Sequence, residues 1–182
     1  WGNFNMIAFA DDKSDKMPHL AMVHENFDNS KSVLLRIHSE CMTGDLFHSN
    51  RCECGEQLDA AMKLAAEQGG IIIYLRQEGR GIGLINKLKA YKIQDKGVNT
   101  ADANTHLGLE IDAREYDIAI QIMNDLGIKK VKLLTNNPDK IEAIENSDIE
   151  IEKRIPLVIP PKKENHGYLK TKQDLMGHLF KI

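Results

Sequence analysis

The spacing of apolar residues changes at Gly55, and this change restricts the possible folds more than any other feature. Before it, "FNMIAFA", "LAMVHEN" and "SVLLRIHS" are short apolar or alternating runs. The polar stretches "DDKSDK" and "NFDNSK" part them, which is the pattern of strands joined by turns. After it, Leu58, Ala61, Met62, Ala65 and Ala66 recur every three or four residues, on one face of a helix that Gly69-Gly70 stops. "IIIYLR" (71–76) then reads as a buried strand. A second helix follows "EGRGIG", with Leu84, Leu88 and Tyr91 on one face and its end near Gly97. The polar passage "VNTADANTHLGLEI" leads to a third helix, from about Ala113 to Leu126, closed by Gly127. "KVKLLT" is a strand, and "NNPDKIEAIENS" a helix with Pro138 in its first turn. "IEIEKRIPLVI" is a late strand, and "YLKTKQDLMGHLF" a terminal helix. Strands first, then strands alternating with helices, predict one mixed α/β domain over residues 1–182. Its N-terminal section is antiparallel and the alternating units that follow are parallel.

Composition narrows the function classes. With 182 residues, 42% of them apolar and 28% charged, the chain can bury a core without staples. A net charge of −3, with Lys and Arg spread along the chain, offers no footprint for nucleic acid or an anionic membrane. No apolar run approaches a membrane span, and no signal peptide is visible. Three closely spaced cysteines without an export signal suggest a reducing compartment, so the expected location is cytoplasmic. The chain opens at Trp1 rather than Met, which leaves room for residues upstream.

All three cysteines fall within "CMTGDLFHSNRCEC" (41–54). Cys52 and Cys54 are two apart, so in an extended segment their thiols point the same way. Cys41, folding back, completes a three-sulfur face. Zinc suits such a set because thiolates are soft ligands and the ion tolerates irregular loops. The alternative is three inert buried cysteines, or a redox pair with one spare. The polar neighbours Thr43, Gly44, Asp45, Asn50 and Arg51 favour the metal. Three protein ligands leave a position for water, as in catalytic zinc sites, unless His38 or His48 fills it. Three thiolates also make bound water less acidic than three histidines would, so a nearby cation is expected. Arg36, Arg51, Arg76 and Arg80 are candidates.

"RQEGRGIG" (76–83) lies between a strand and a helix, where glycines free backbone N–H groups to face an anion. It is equally a plain strand-to-helix turn, but its two arginines favour a phosphorylated ligand. In "IDAREYD", Asp112 with Glu115 makes a capping box for the third helix, which leaves Arg114 as a surface residue of the first turn. "TNNPDK" reads as a strand end, an Asn cap and a helix-starting Pro, with Lys140 solvated.

Taken together, "RIHSEC", "RCECG.QL", "YLRQEGRGIGL.NK..AY", "D.R.Y", "LLTNNP.K" and "YL.TK....GH" resemble the GTP cyclohydrolase II family. The resemblance runs in order from "WGNF" to "GHL". It implies Cys41, Cys52 and Cys54 as ligands of one Zn²⁺ per subunit. It implies that Arg36, Ile37, His38, Ser39, Glu40, Gln57, Glu78, Gly79, Arg80, Thr100, Thr135 and Lys140 contact GTP. Asp112 matches a proton acceptor, Arg114 a nucleophile, and Tyr91 a residue at the guanine end of the pocket. The implied reaction opens the guanine imidazole ring and releases formate and pyrophosphate, with Mg²⁺ on the phosphates. A homodimer is also implied.

An arginine nucleophile must first lose a proton from a group whose pKa is about 12 or higher. The simpler expectation is that Arg114 stabilises the transition state at the α-phosphate while water attacks. Two departures from the family stand out: Glu53 where Asp is common, and a helix-to-strand turn at Ser147-Asp148 that lacks Gly. Neither is expected to touch the site. Three rival readings accompany the resemblance. They are a variant that keeps the formyl group, the hydrolase half of a fused riboflavin enzyme, and a non-catalytic nucleotide-binding module with structural zinc.

Overall fold

The computed structural model describes residues 1–180, the side chains of Thr100 and Ala101 excepted. The strands are β1 (Phe4–Phe9), β2 (His19–His24), β3 (Val33–Ser39), β4 (Ile71–Leu75), β5 (Lys130–Leu134) and β6 (Glu150–Ile155). The helices are α1 (Met42–Asp45), α2 (Cys54–Gln68), α3 (Gly83–Gln94), α4 (Thr100–His106), α5 (Asp117–Asp125), α6 (Pro138–Glu145) and α7 (His166–Leu175). One sheet holds all six strands in the order β1-β2-β4-β3-β5-β6. β2 pairs antiparallel with β1 and β4. β3, β4, β5 and β6 form the parallel half, with β3 between β4 and β5. The expected mixed α/β class is therefore the observed one.

The core explains why β4 is apolar at every position but Tyr74. Ile71, Ile73 and Leu75 face a layer containing Ala119, Ile122 and Met123 of α5, while Ile72 faces Ala61 and Ala65 of α2. A strand covered on both faces has no polar side to show. Each of these isoleucines is at most 1% exposed and contributes about 2 kcal/mol by leaving water. The parallel strands also place the loops after β3, β4 and β5 at one edge of the sheet, where open α/β sheets hold ligands.

Four local expectations need correction. α5 starts at Asp117, not near Ala113, because Ala113 N donates to Arg80 O (3.0 Å) and draws the preceding segment onto another loop. α4 lies within the passage read as merely polar. Asn99 caps it by accepting from Asp102 N (2.9 Å). α3 does not bury Leu88, which is 45% exposed; its buried residues are Lys87 and Ala90. Cys54 is the first residue of α2 and not part of an extended segment. At the turn lacking Gly, Ser147 Oγ donates to Ile144 O (2.7 Å) and accepts from Ile149 N (3.2 Å).

Candidate active site

The three sulfurs converge through a cap, a turn and a helix start rather than through strand alternation. Cys41 precedes the first residue of α1, Cys52 directly follows a turn, and Cys54 opens α2. Their Sγ atoms all lie within 4.8 Å of one another, with Cys41 and Cys52 3.6 Å apart. An ion bound tetrahedrally at about 2.3 Å would space its sulfurs by roughly 3.8 Å, so the set fits zinc. Gly44 makes this packing possible. A Cβ there would stand 2.8 Å from Cys52 Sγ and 3.2 Å from Cys41 Sγ. A Cβ on Gly55 would lie 2.3 Å from Gly44 O, so both partners in this contact are glycines.

Charge supports the same conclusion. Hydrogen bonds from the Cys52 and Cys54 thiols, with Lys87 adding to them, hold Cys41 far below the ordinary thiol range. That thiolate in turn pushes Cys52 up to about 11 and Cys54 well above its ordinary value. The protein alone stabilises one thiolate, and three require a cation among them. Neither histidine joins the set. His38 Nε2 is 3.1 Å from Asp45 Oδ1 and its ring stacks on Tyr74, while His48 is exposed. Asp45 Oδ2 also accepts from Cys41 N (2.9 Å) and Tyr74 OH (2.8 Å), which fixes the backbone at the first cysteine.

The cation nearest the sulfurs is Lys87, which the sequence did not single out. Its Nζ donates to Cys41 Sγ (3.0 Å) and to Glu78 Oε1 (2.8 Å). Glu78 Oε2 accepts from Met42 N (2.6 Å). Of the four arginines expected nearby, Arg36, Arg51 and Arg80 line the pocket that contains the cysteines. Arg76 does not; it pairs with Glu40 at 3.1 Å and lines a neighbouring cavity. Arg51 pairs with Asp95 (2.7 Å), and its guanidinium lies over the Tyr91 ring. Tyr91 OH is 3.4 Å from Thr43 Oγ1, which is itself 3.7 Å from Cys41 Sγ. Tyr91 thus lies at the sulfur end, and burial pushes its hydroxyl up to about 12.

The same pocket is cationic beyond Arg51 and Lys87. Arg36, Arg80, Arg114, Lys140 and Lys172 line the same pocket. Arg36 donates to Leu134 O (3.1 Å) and to Gln57 Oε1 (2.8 Å). Lys140 is buried rather than solvated, and its Nζ donates to Ile37 O (2.9 Å). Ile37 therefore reaches the site by its carbonyl, while its side chain belongs to the core. Burial lowers Lys140 far below its ordinary value, and Arg36, Arg114 and Lys172 push the same way. Burial brings Arg36 down to about 10.

Arg80 has φ +62°, a left-handed backbone rare for arginine, between Gly79 at +64° and Gly81 at +86°. Both of its terminal guanidinium nitrogens are buried without a partner. Orphaned donors among crowded cations fit an anion.

Asp112 and Arg114 do not serve as helix cap and surface residue. Asp112 accepts from Arg114 Nε (2.8 Å), from its Nη2 and from its backbone N (3.2 Å). Burial opposes Asp112's charge, but Arg114 outweighs it and holds the carboxyl below its ordinary value. Burial likewise opposes Arg114's charge, and Asp112 and neighbouring groups raise it instead.

Ser39, Glu40, Gly79 and Thr135 also line the pocket, where Thr135 Oγ1 accepts from Asn137 N (3.1 Å). The side chain of Thr100 lies outside the described residues. Sequence reasoning also missed Tyr168, Lys172 and His178, although "YL.TK....GH" contains them; a lysine or tyrosine in a helix carries no sign of where it points. Glu53, expected to lie clear of the site, is 1% exposed, and its Oε1 accepts from Lys172 Nζ (2.6 Å).

The family model for GTP cyclohydrolase II matches residues 1–156. GTP cyclohydrolase-2 of Neisseria meningitidis serogroup B is 51% identical over 181 residues, covering 99% of this chain and 91% of that protein. GTP cyclohydrolase-2 of Shewanella pealeana is 49% identical over 181 residues, 99% of this chain and 86% of that protein. Riboflavin biosynthesis protein RibBA of Endomicrobium trichonymphae is 49% identical over 182 residues, all of this chain but 45% of that protein. The chain thus spans most of the first two relatives and about half of the third. By this match and these identities, the chain belongs to the GTP cyclohydrolase II family.

Proposed function

We propose that this chain opens the imidazole ring of GTP and releases formate and pyrophosphate. The product is 2,5-diamino-6-hydroxy-4-(5-phosphoribosylamino)pyrimidine, at the start of riboflavin synthesis. The observation that carries this reading is that one pocket joins a three-thiol cluster to seven cationic side chains. Cys41, Cys52 and Cys54 would hold one zinc ion per subunit, which supplies Lewis acidity for hydrolysis at the carbon between the ring nitrogens. Tyr91, near the sulfurs through Thr43, supports a guanine on that side of the pocket.

Arg36, Arg80 and Lys140 then take the phosphates together with Mg²⁺, and Arg114 faces the α-phosphorus. Asp112 fixes the plane of Arg114 and keeps it protonated, so Arg114 stabilises charge while water attacks. The catalytic unit is residues 1–182, working in the cytoplasm as a homodimer by resemblance to the family.

Formate assay and the ultraviolet spectrum of GTP during incubation test the reading together. Loss of the purine chromophore with stoichiometric free formate supports it. A formylated product would instead identify the formyl-retaining variant, and an unchanged spectrum the non-catalytic module. Cys54→Ser should abolish ring opening; ring opening undiminished in that variant would remove zinc from the scheme. Arg114→Lys should retain pyrophosphate release in part, whereas a phosphoramidate trapped on Arg114 would show that it is the nucleophile.

A further inference from the structure

The family match ends at residue 156, yet Tyr168, Lys172 and His178 line the pocket from beyond that point. Two of its contacts seat this segment beside the site. Lys172 Nζ reaches Glu53 Oε1, between two of the cysteines, and Leu179 N donates to Asn136 O (2.8 Å) on the loop after β5. The Tyr168 ring lies between two cations, 5.5 Å from the Arg80 guanidinium and 4.6 Å from Lys172 Nζ, and so orients Arg80 from outside the matched region. His178 donates its backbone N–H to Lys172 O (3.1 Å), and its ring meets Phe180 edge-on. Its Nε2 is buried without a hydrogen-bond partner.

We propose that the chain beyond residue 156 completes the polyphosphate subsite, with His178 Nε2 donating a hydrogen bond to a phosphate oxygen of the nucleotide. The groups that act on this imidazole are burial and four cations: Lys172, Arg114, Lys140 and Arg80. They keep the ring neutral, and a neutral ring with its proton on Nε2 is a donor without an acceptor. The same surroundings leave both terminal nitrogens of Arg80 unpartnered. One polyanion satisfies both residues, whereas a base or a sugar hydroxyl would leave the cations uncompensated.

This inference rests on GTP as the substrate, and the experiment separates the two ideas. Inhibition constants for pyrophosphate and for guanosine are measured against GTP turnover in the wild type, His178→Ala and His178→Gln. A hydrogen bond to a charged group predicts a pyrophosphate constant raised roughly tenfold to a hundredfold in the alanine variant. The glutamine variant, which keeps an N–H donor, recovers part of this, and guanosine inhibits all three alike. A pyrophosphate constant changed less than about twofold overturns the proposal, as does an equal rise for guanosine, which marks a structural role.

A wild type that leaves GTP intact overturns the substrate instead, and calorimetric pyrophosphate binding then tests the subsite alone. Should the variants unfold at their C-terminus, the wild type decides. Pyrophosphate, and not guanosine, should protect His178 from diethyl pyrocarbonate, read by peptide mass. Modification unaffected by pyrophosphate overturns the proposal.

Discussion

Lys87 shows how a single residue can set the charge of a site without standing among its ligands. Three thiolates around a divalent cation carry one excess negative charge, and the ammonium 3.0 Å from Cys41 Sγ offsets it at that sulfur. Burying that ammonium requires Glu78, and the two side chains are 10% and 9% exposed. Lys87→Met would leave the Glu78 carboxylate buried beside a thiolate and should cost about 3 kcal/mol of stability. The double variant Lys87→Met/Glu78→Gln should recover most of that loss, since neither remaining side chain is charged. Urea unfolding in excess chelator, which removes metal from the comparison, measures both. A single variant costing less than about 1 kcal/mol would show that the pair is hydrated and contributes like a surface bridge.

At the scale of elements, legibility followed how much of a signal was local. β4 was readable because burial on both faces makes every position but Tyr74 apolar. α3 misled because apolar spacing presumes an apolar partner. This helix turns Lys87 toward a charged pocket and leaves Leu88 and Ile85 exposed. Asp112 misled differently: its capping box is locally valid, but Ala113 is tied to Arg80 across the sheet edge, so the helix begins later.

Cysteine clustering pointed to a set of three sulfurs able to hold a metal, while their geometry comes from α1 resting on the start of α2. That contact depends on Gly44, so Gly44→Ala should push the sulfurs apart and weaken zinc by at least tenfold to a hundredfold. Competition with a chromophoric chelator reads the affinity, and far-ultraviolet circular dichroism shows whether the helices persist. Zinc held as tightly as in the wild type would mean that α1 can slide away from α2 at little cost.

The whole molecule carries a net charge of −3, yet its sheet gathers cations at the carboxyl ends of the parallel strands. Without an anion to balance them, burial and these neighbours act against the charge of Lys140. Burial holds Lys140 well below its ordinary 10.5, with Arg36, Arg114 and Lys172 acting in the same direction and Asp112 against it. Burial, with Lys172, Arg114, Lys140 and Arg80, presses His178 down to about 2. In the free protein, then, folded Lys140 binds fewer protons than it would unfolded. Its contribution to stability accordingly rises as pH increases from its folded value toward 10.5 and falls as pH drops. A polyphosphate reverses the balance by favouring the charged ammonium. Pyrophosphate binding should therefore draw protons from solution between those two pH limits, and the salt dependence should be that of a focused positive cleft. Calorimetry in two buffers of different ionisation enthalpy gives the proton count directly, and Lys140→Met should remove most of it. Proton release, or no exchange across the whole range, would mean that Lys140 is already charged in the free protein and that its neighbours do not suppress that charge.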